Sequence, residues 1–129
     1  MAVFSIDSVE YPGVLVPSLK RSFEILDGEN AGRVKTGTMV RDVIGTYYNY
    51  SMELDTSESS LAEYDALYEV LSAPVDSHIL VVPYAQATLT FEAYVTSGED
   101  DLLSMENERN KWAGLSVNFI AMSPKRRPA

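Results

Sequence analysis

Between Tyr47 and Met122 the chain alternates apolar and polar residues three separate times, interrupted by one helix-like segment. A period of two sends successive side chains to opposite faces, so each stretch predicts a strand with one dry and one wet side. In the first, Tyr48, Tyr50, Met52 and Leu54 share a face, and Asn49, Ser51, Glu53 and Asp55 share the other. Leu89, Phe91, Ala93 and Val95 point inward from a second strand over 88–96, and Leu115, Val117, Phe119 and Ala121 from a third over 112–122. Positions so patterned specify sheets rather than reactions.

The remaining segments fit around that framework. Leu19, Arg21, Phe23 and Ile25 face one way and Lys20, Ser22 and Glu24 the other, a strand with one charged residue on its apolar side that ends at Asp27-Gly28. A short strand at 14–16 precedes it, after a turn at Tyr11-Pro12-Gly13. Residues 29–37, with Gly32 and Gly37, read as a long polar loop, and the extended run 39–55 is expected to bend or bulge at Gly45. Leu61, Tyr64, Leu67, Tyr68 and Leu71 recur at helical spacing over 60–73, stopped by Pro74. Ser60 and Glu63 have the spacing of a capping box, and Glu58, Glu63 and Asp65 place negative charge near the helix start. A helix of roughly three turns does not persist alone, so its apolar stripe must pack on a sheet. A further strand at 77–82 ends at Pro83, with 83–86 as a tight hairpin link, and 97–110 reads as a long acidic connection. The whole is an α+β domain: a mostly antiparallel β-sandwich or half-open barrel of six to seven strands with one packed helix.

A chain of 129 residues fits one domain, 1–129, and one continuous core. With no cysteine, disulfides and thiolate metal sites are excluded. No apolar run approaches the ~20 residues of a membrane-spanning helix, and residues 1–10 lack the cationic start and apolar run of a secretory signal, which predicts synthesis and folding in the cytoplasm. The net charge is −9, yet Lys125, Arg126 and Arg127 sit in the last five residues, leaving −12 on the rest. So acidic a body is a poor partner for phosphates, and tight nucleic-acid binding is not expected. Residues 124–129 read as a flexible basic tail.

No reactive constellation emerges. His78 is the only histidine, so nucleophile–base pairs and zinc sites lack members, and it reads as a structural residue. Glu99, Asp100 and Asp101 are adjacent acids that point apart along a chain, with no glycine-centred calcium loop around them. A hydrolase built on them is the weakest of the rival readings. Gly28, Gly32 and Gly37 lack the Gly-Lys-Ser/Thr ending of a phosphate loop. Tyr47, Tyr48, Tyr50 and Trp112 suit core and interface packing, with a small-molecule or carbohydrate-binding module as the alternative that would use surface rings. No catalytic, cofactor or metal residue is assigned, and the chain reads as a non-enzyme. Contact with a partner is placed in two segments: Gly28, Glu29, Asn30 and Arg33 in one, and Glu99, Asp100 and Asp101 in the other, with Trp112 beside the second.

The stretches Leu19-Lys20-Arg21-Ser22-Phe23-Glu24-Ile25-Leu26-Asp27-Gly28-Glu29-Asn30-Ala31-Gly32-Arg33, Arg41-Asp42-Val43-Ile44-Gly45-Thr46-Tyr47-Tyr48-Asn49-Tyr50 and Glu63-Tyr64-Asp65-Ala66-Leu67-Tyr68 resemble small prophage tail proteins of Gram-positive bacteria. Ala73-Pro74-Val75-Asp76-Ser77-His78 and residues 112–124 extend the likeness over most of the chain. The order of elements also resembles the fold of phage tail-tube subunits and of the amino-terminal domain of distal tail proteins. That resemblance implies a virion structural protein made in the host cytoplasm, which assembles as rings, hexameric in such subunits, and docks other tail proteins. It also implies that DNA passes through an assembled channel, where an acidic wall would repel phosphates. A tube subunit needs an arm between rings, and 29–37 and the amino-terminal stretch are the candidates for it.

Overall fold

Every strand pairing among the described residues is antiparallel. The structure is a computed structural model and describes residues 3–56, 60–106 and 108–128. In chain order the strands before the helix are β1 (Ser5–Ile6), β2 (Val9–Glu10), β3 (Val14–Asp27), β4 (Gly32–Arg33), β5 (Met39–Val40) and β6 (Val43–Thr56). The helix α1 (Leu61–Leu71) follows, then β7 (His78–Tyr84), β8 (Ala87–Tyr94), β9 (Gly98–Glu106) and β10 (Arg109–Ala121). The fold is mostly antiparallel β with one helix, in a sandwich-like arrangement. The main path runs β2-β1-β7-β8-β10-β6-β3, with β9 also on β10, and β4-β5 form a separate ribbon. Strand β10 belongs to both halves: residues 115–119 pair with β6, 109–117 pair with β9, and 120–121 pair with β8.

The core lies where the dry faces meet. Tyr50, Met52 and Leu54 of β6, Leu80 and Val82 of β7, Leu89 and Ala93 of β8, and Leu115, Val117 and Phe119 of β10 are buried together with Tyr64, Leu67 and Leu71 of α1. At about 25 cal/mol per Å² of apolar surface removed from water, each large side chain in this set contributes roughly 1.5–3 kcal/mol. The helix is held by this packing.

Several expectations are corrected by tertiary context. The described residues hold ten strands rather than six or seven. Residues 14–16 and 19–27 form one strand, because the sheet absorbs Pro17 at a register shift between Leu15 and Ser18 opposite β6. Pro83 does not end β7: it stands opposite Thr88, and the turn comes at Ala85, whose φ of 51° gives the backbone the left-handed step of a two-residue hairpin. The acidic connection at 97–110 contains strand β9, an edge strand whose Glu99, Asp101 and Glu106 face water. The helix is shorter than 60–73 at both ends, and the capping box does not close on itself. The Ser60 hydroxyl donates to the Gly13 carbonyl at 2.6 Å, and Glu63 Oε1 accepts from the Gly13 amide at 3.0 Å, so both residues clamp the turn before β3. Glu58 lies outside the described residues.

The bulge expected at Gly45 is present one residue away. Leu26 pairs with Gly45 and Asp27 with Val43, which leaves Ile44 unpaired against β3. Gly45 is itself required by a close approach: a Cβ there would stand 2.6 Å from both the Arg126 carbonyl oxygen and the Pro124 side chain. Within the basic segment read as a flexible tail, the Lys125 amide donates to the Thr46 carbonyl at 2.9 Å, and the Thr46 amide donates to the Arg126 carbonyl at 2.8 Å.

Candidate interaction surfaces

Register places the two expected contact segments at opposite ends of one sheet. Because β10 residues 115–119 pair with β6 residues 54–50, the start of β10, flanked by β9, runs past Thr56 at one end. The first residues of β6, flanked by β3, run past Ala121 at the other, and the β4-β5 ribbon caps that end. Gly28, Glu29, Asn30 and Arg33 therefore belong to one pole, and Asp100, Asp101 and Trp112 to the other, while Glu99, paired with Ser116, lies level with Glu53 in mid-sheet.

At the ribbon pole the polar residues are mostly tied to one another. Arg41 Nε donates to both carboxylate oxygens of Asp27 at 2.9 Å, and this pair holds the Asp27 carboxyl below its usual range. Gly28 donates to the Asp42 carbonyl at 2.7 Å and Asn30 to the Asp42 carboxylate at 3.3 Å. Arg33 Nη1 donates to the Gly37 carbonyl at 2.8 Å. These bonds shape the loop, while Glu29 is exposed.

At the other pole the three acids separate in role, as alternation along a strand demands. Asp100 turns toward the helix and accepts the Tyr64 hydroxyl at 3.0 Å, whereas Glu99 and Asp101 are exposed. Burial first, and then this carboxylate, raise the Tyr64 hydroxyl well above the ordinary tyrosine range. Asp100 and Trp112 do meet: with Asp65, Tyr68 and Glu69 of α1 they line an open groove of about 440 Å³. Among the described residues no three His, Asp or Glu side chains converge as metal ligands.

His78 is buried on the core side of β7, and its Nδ1 lies 2.8 Å from Asp7 Oδ2. The other Asp7 oxygen accepts from the Ile79 amide at 2.8 Å. Asp7 and Ser8, with φ of 51° and 70°, form the two-residue turn between β1 and β2, so this pair pins the amino-terminal hairpin to β7. The His78 side chain, and then the Ile79 amide, hold the Asp7 carboxyl below its ordinary value.

The rings proposed as a ligand platform do not converge. Tyr50 is only 2% exposed and donates to the Pro83 carbonyl, Tyr47 stands on the opposite face of β6, and Trp112 belongs to the far pole. A different aromatic site is present that sequence reading missed. Leu19, Arg21, Phe23 and Ile25 stand opposite Met52, Tyr50, Tyr48 and Thr46, so the core face of β3 and β6 continues past the core, leaving Phe23 and Ile25 exposed. There Arg21, Phe23, Ile25, Tyr48, Tyr84 and Arg126 line a cradle of about 470 Å³. The Arg21 guanidinium lies 5.2 Å from the centre of the Tyr84 ring, and the Tyr48 and Tyr84 rings are 5.4 Å apart. The Tyr84 hydroxyl, and then Arg126, hold Tyr48 below the ordinary tyrosine range, while Tyr48 pushes Tyr84 above it. The one available signal was Arg21, a charge in an otherwise apolar stripe.

A further concavity, about 500 Å³, is an open trough on the polar face of the same sheet, lined by residues such as Ser18, Lys20, Glu53, Glu99 and Asn118. No helix among the described residues is long and apolar enough to cross a membrane. Neither a scan of family models nor a search of characterised proteins returns a match for this chain.

Proposed function

We propose that the chain is a structural component of a phage or prophage tail that works by self-association and by docking to other tail proteins. The observation that carries this reading is the β3–β6 ribbon: two 14-residue strands whose apolar face outruns the core, leaving Phe23 68% exposed and Ile25 45% exposed beside a free strand edge. An isolated globular domain has no use for such a face, and an unpaired edge invites pairing with another chain. Strand β3 pairs only with β6, and β9 only with β10, so both edges of this half of the sheet are open to neighbouring subunits among the described residues. The resemblance to tail-tube and distal-tail proteins gives these features a role: edges close a ring, possible at six copies, and residues 29–37 and the amino-terminal stretch are the candidates for the arm between rings. The acidic body suits a channel through which DNA slides, because like charge keeps phosphates from sticking. The site of action is then the virion tail, after synthesis in the host cytoplasm.

The test is mass measurement in solution over a range of concentrations, alone and with the neighbouring gene products. Rings, or assembly that appears only with those neighbours, support the reading. A chain that stays monomeric in both settings overturns it.

A further inference from the structure

The basic aromatic cradle is assembled from four segments that lie far apart in sequence. Arg21 and Phe23 come from β3, Tyr48 from β6, Tyr84 from the end of β7, and Arg126 from the carboxyl-terminal segment. Local bonds hold these pieces together. Tyr50 donates to the Pro83 carbonyl at 2.9 Å, which fixes the end of β7 against β6, and the Thr46 amide donates to the Arg126 carbonyl at 2.8 Å. The two guanidinium groups converge: that of Arg21 lies 5.2 Å from the centre of the Tyr84 ring, and that of Arg126 bonds the Tyr48 hydroxyl. Among the described residues no Asp or Glu lines the cradle, and the ion pairs are Arg41 with Asp27 and His78 with Asp7, so neither cradle arginine is answered by a carboxylate. The chain has 19 Asp and Glu against 10 Lys and Arg. Two guanidinium groups brought together without a counter-charge amid so many acids are placed to receive one from outside.

The geometry points to a binding site for a small ring-bearing organic anion, its carboxylate or phosphate held by Arg21 and Arg126 and its ring laid against Phe23 and Tyr84. This goes beyond the assembly reading above and does not depend on it. A cradle of about 470 Å³ has room for such a molecule. A guanidinium placed over a ring is held in position while its N–H fork remains able to meet an oxyanion. Other ligand classes use only part of what is there. A bare anion would leave Phe23, 68% exposed, uncovered, and a neutral sugar would stack on the rings but leave both guanidinium groups without a counter-charge. An organic cation has no carboxylate to meet in the cradle. A nucleic-acid strand supplies rings and phosphates, yet it would have to run on from the cradle over a chain whose net charge is −9. A single anion stays within the field of the two arginines, because salt confines the reach of each exposed charge to about 8 Å at physiological strength.

Calorimetric titration of the full chain at neutral pH tests this, with naphthyl phosphate and naphthoate as the probes. Inorganic phosphate serves as the anion without a ring, naphthol as the ring without a charge, and naphthylmethylamine as the ring with the opposite charge. One molecule of naphthyl phosphate or of naphthoate is expected to bind per chain, and the tighter of the two tells which oxyanion the site prefers. The three other probes are expected to bind about tenfold more weakly or worse, since each lacks either the charged bonds or the ring contact. Arg126→Gln and Phe23→Ser alter exposed side chains and are expected to keep the wild-type circular dichroism. Each is expected to weaken the tighter probe about tenfold. Nuclear magnetic resonance on the wild-type chain locates the site without any variant: the amides that shift with the tighter probe are expected at residues 21–25, 46–48 and 84. The proposal is overturned if neither anionic probe binds, if any of the three others binds as tightly, if either folded variant binds as the wild type does, or if the shifted amides lie elsewhere. None of these results touches the tail assignment, which is decided separately by co-assembly with neighbouring gene products.

Discussion

Gly45 shows how much one missing side chain can decide. Strand β6 passes so close beneath residues 124–126 that a Cβ has no room, and the Lys125 and Arg126 backbone groups then bond to Thr46. Gly45→Val is expected to cost about 1–3 kcal/mol, the usual penalty for forcing atoms into a packed contact, and to speed hydrogen exchange at the Thr46 amide. Thermal denaturation and exchange on the purified variant check both. Asp7 is a second such residue, tying its turn to His78 and Ile79. Its carboxyl is held below the ordinary value, so the folded state prefers the ionised form. Its stabilising effect is therefore present above the unfolded carboxylate pKa of about 4 and disappears as pH falls through the lower folded value. Asp7→Asn is expected to lower stability by about 1 kcal/mol near neutral pH. The gap between variant and wild type should close as pH falls through the lowered folded value, as measured by denaturant unfolding across the acid range.

Elements in this fold borrow their terminal chemistry from one another. Ser60 and Glu63 have capping-box spacing, yet both reach the Gly13 backbone in the β2–β3 turn, where a Cβ would stand 2.6 Å from Ser60. Helix start and strand start are thus one structural unit. Glu63→Ala is expected to increase exchange at the Gly13 amide more than at amides of α1, with a stability loss of about 1 kcal/mol. A larger effect inside the helix than at Gly13 would restore the local capping account. The β9–β10 hairpin makes the complementary point. Its register slips at Leu103 and again near Gly114, whose φ of 72° and bond to Asp55 set the bend that carries β10 from one half of the fold to the other.

For the whole molecule, the placement of the cations is the organising property. Residues 20–46 and 124–128 hold eight of the ten Lys and Arg, and the carboxyl-terminal ones join that end of the sheet only because their backbone is bonded to β6. Truncation after Ser123 removes three of those eight, Lys125, Arg126 and Arg127. It is expected to weaken self-association in low salt while removing only the few backbone bonds to Thr46, a stability change of about 1–2 kcal/mol. Light scattering at matched concentrations, alongside thermal unfolding, separates the two effects.

Much of this was legible along the chain. Alternation named Tyr50, Met52, Leu54, Leu89, Ala93, Leu115, Val117 and Phe119 as interior, and Tyr64, Leu67 and Leu71 as the buried stripe of a helix, because burial on one face imposes a period that any reader of the sequence can count. Strand β9 escaped notice because an edge strand can be acidic on both faces without losing its ladder. The Asp7–His78 pair, the Gly13 clamp and the basic aromatic cradle were decided only in three dimensions. Each joins residues dozens of positions apart through pairing register, and register is set by how two sheets close on one core, a property of no single segment.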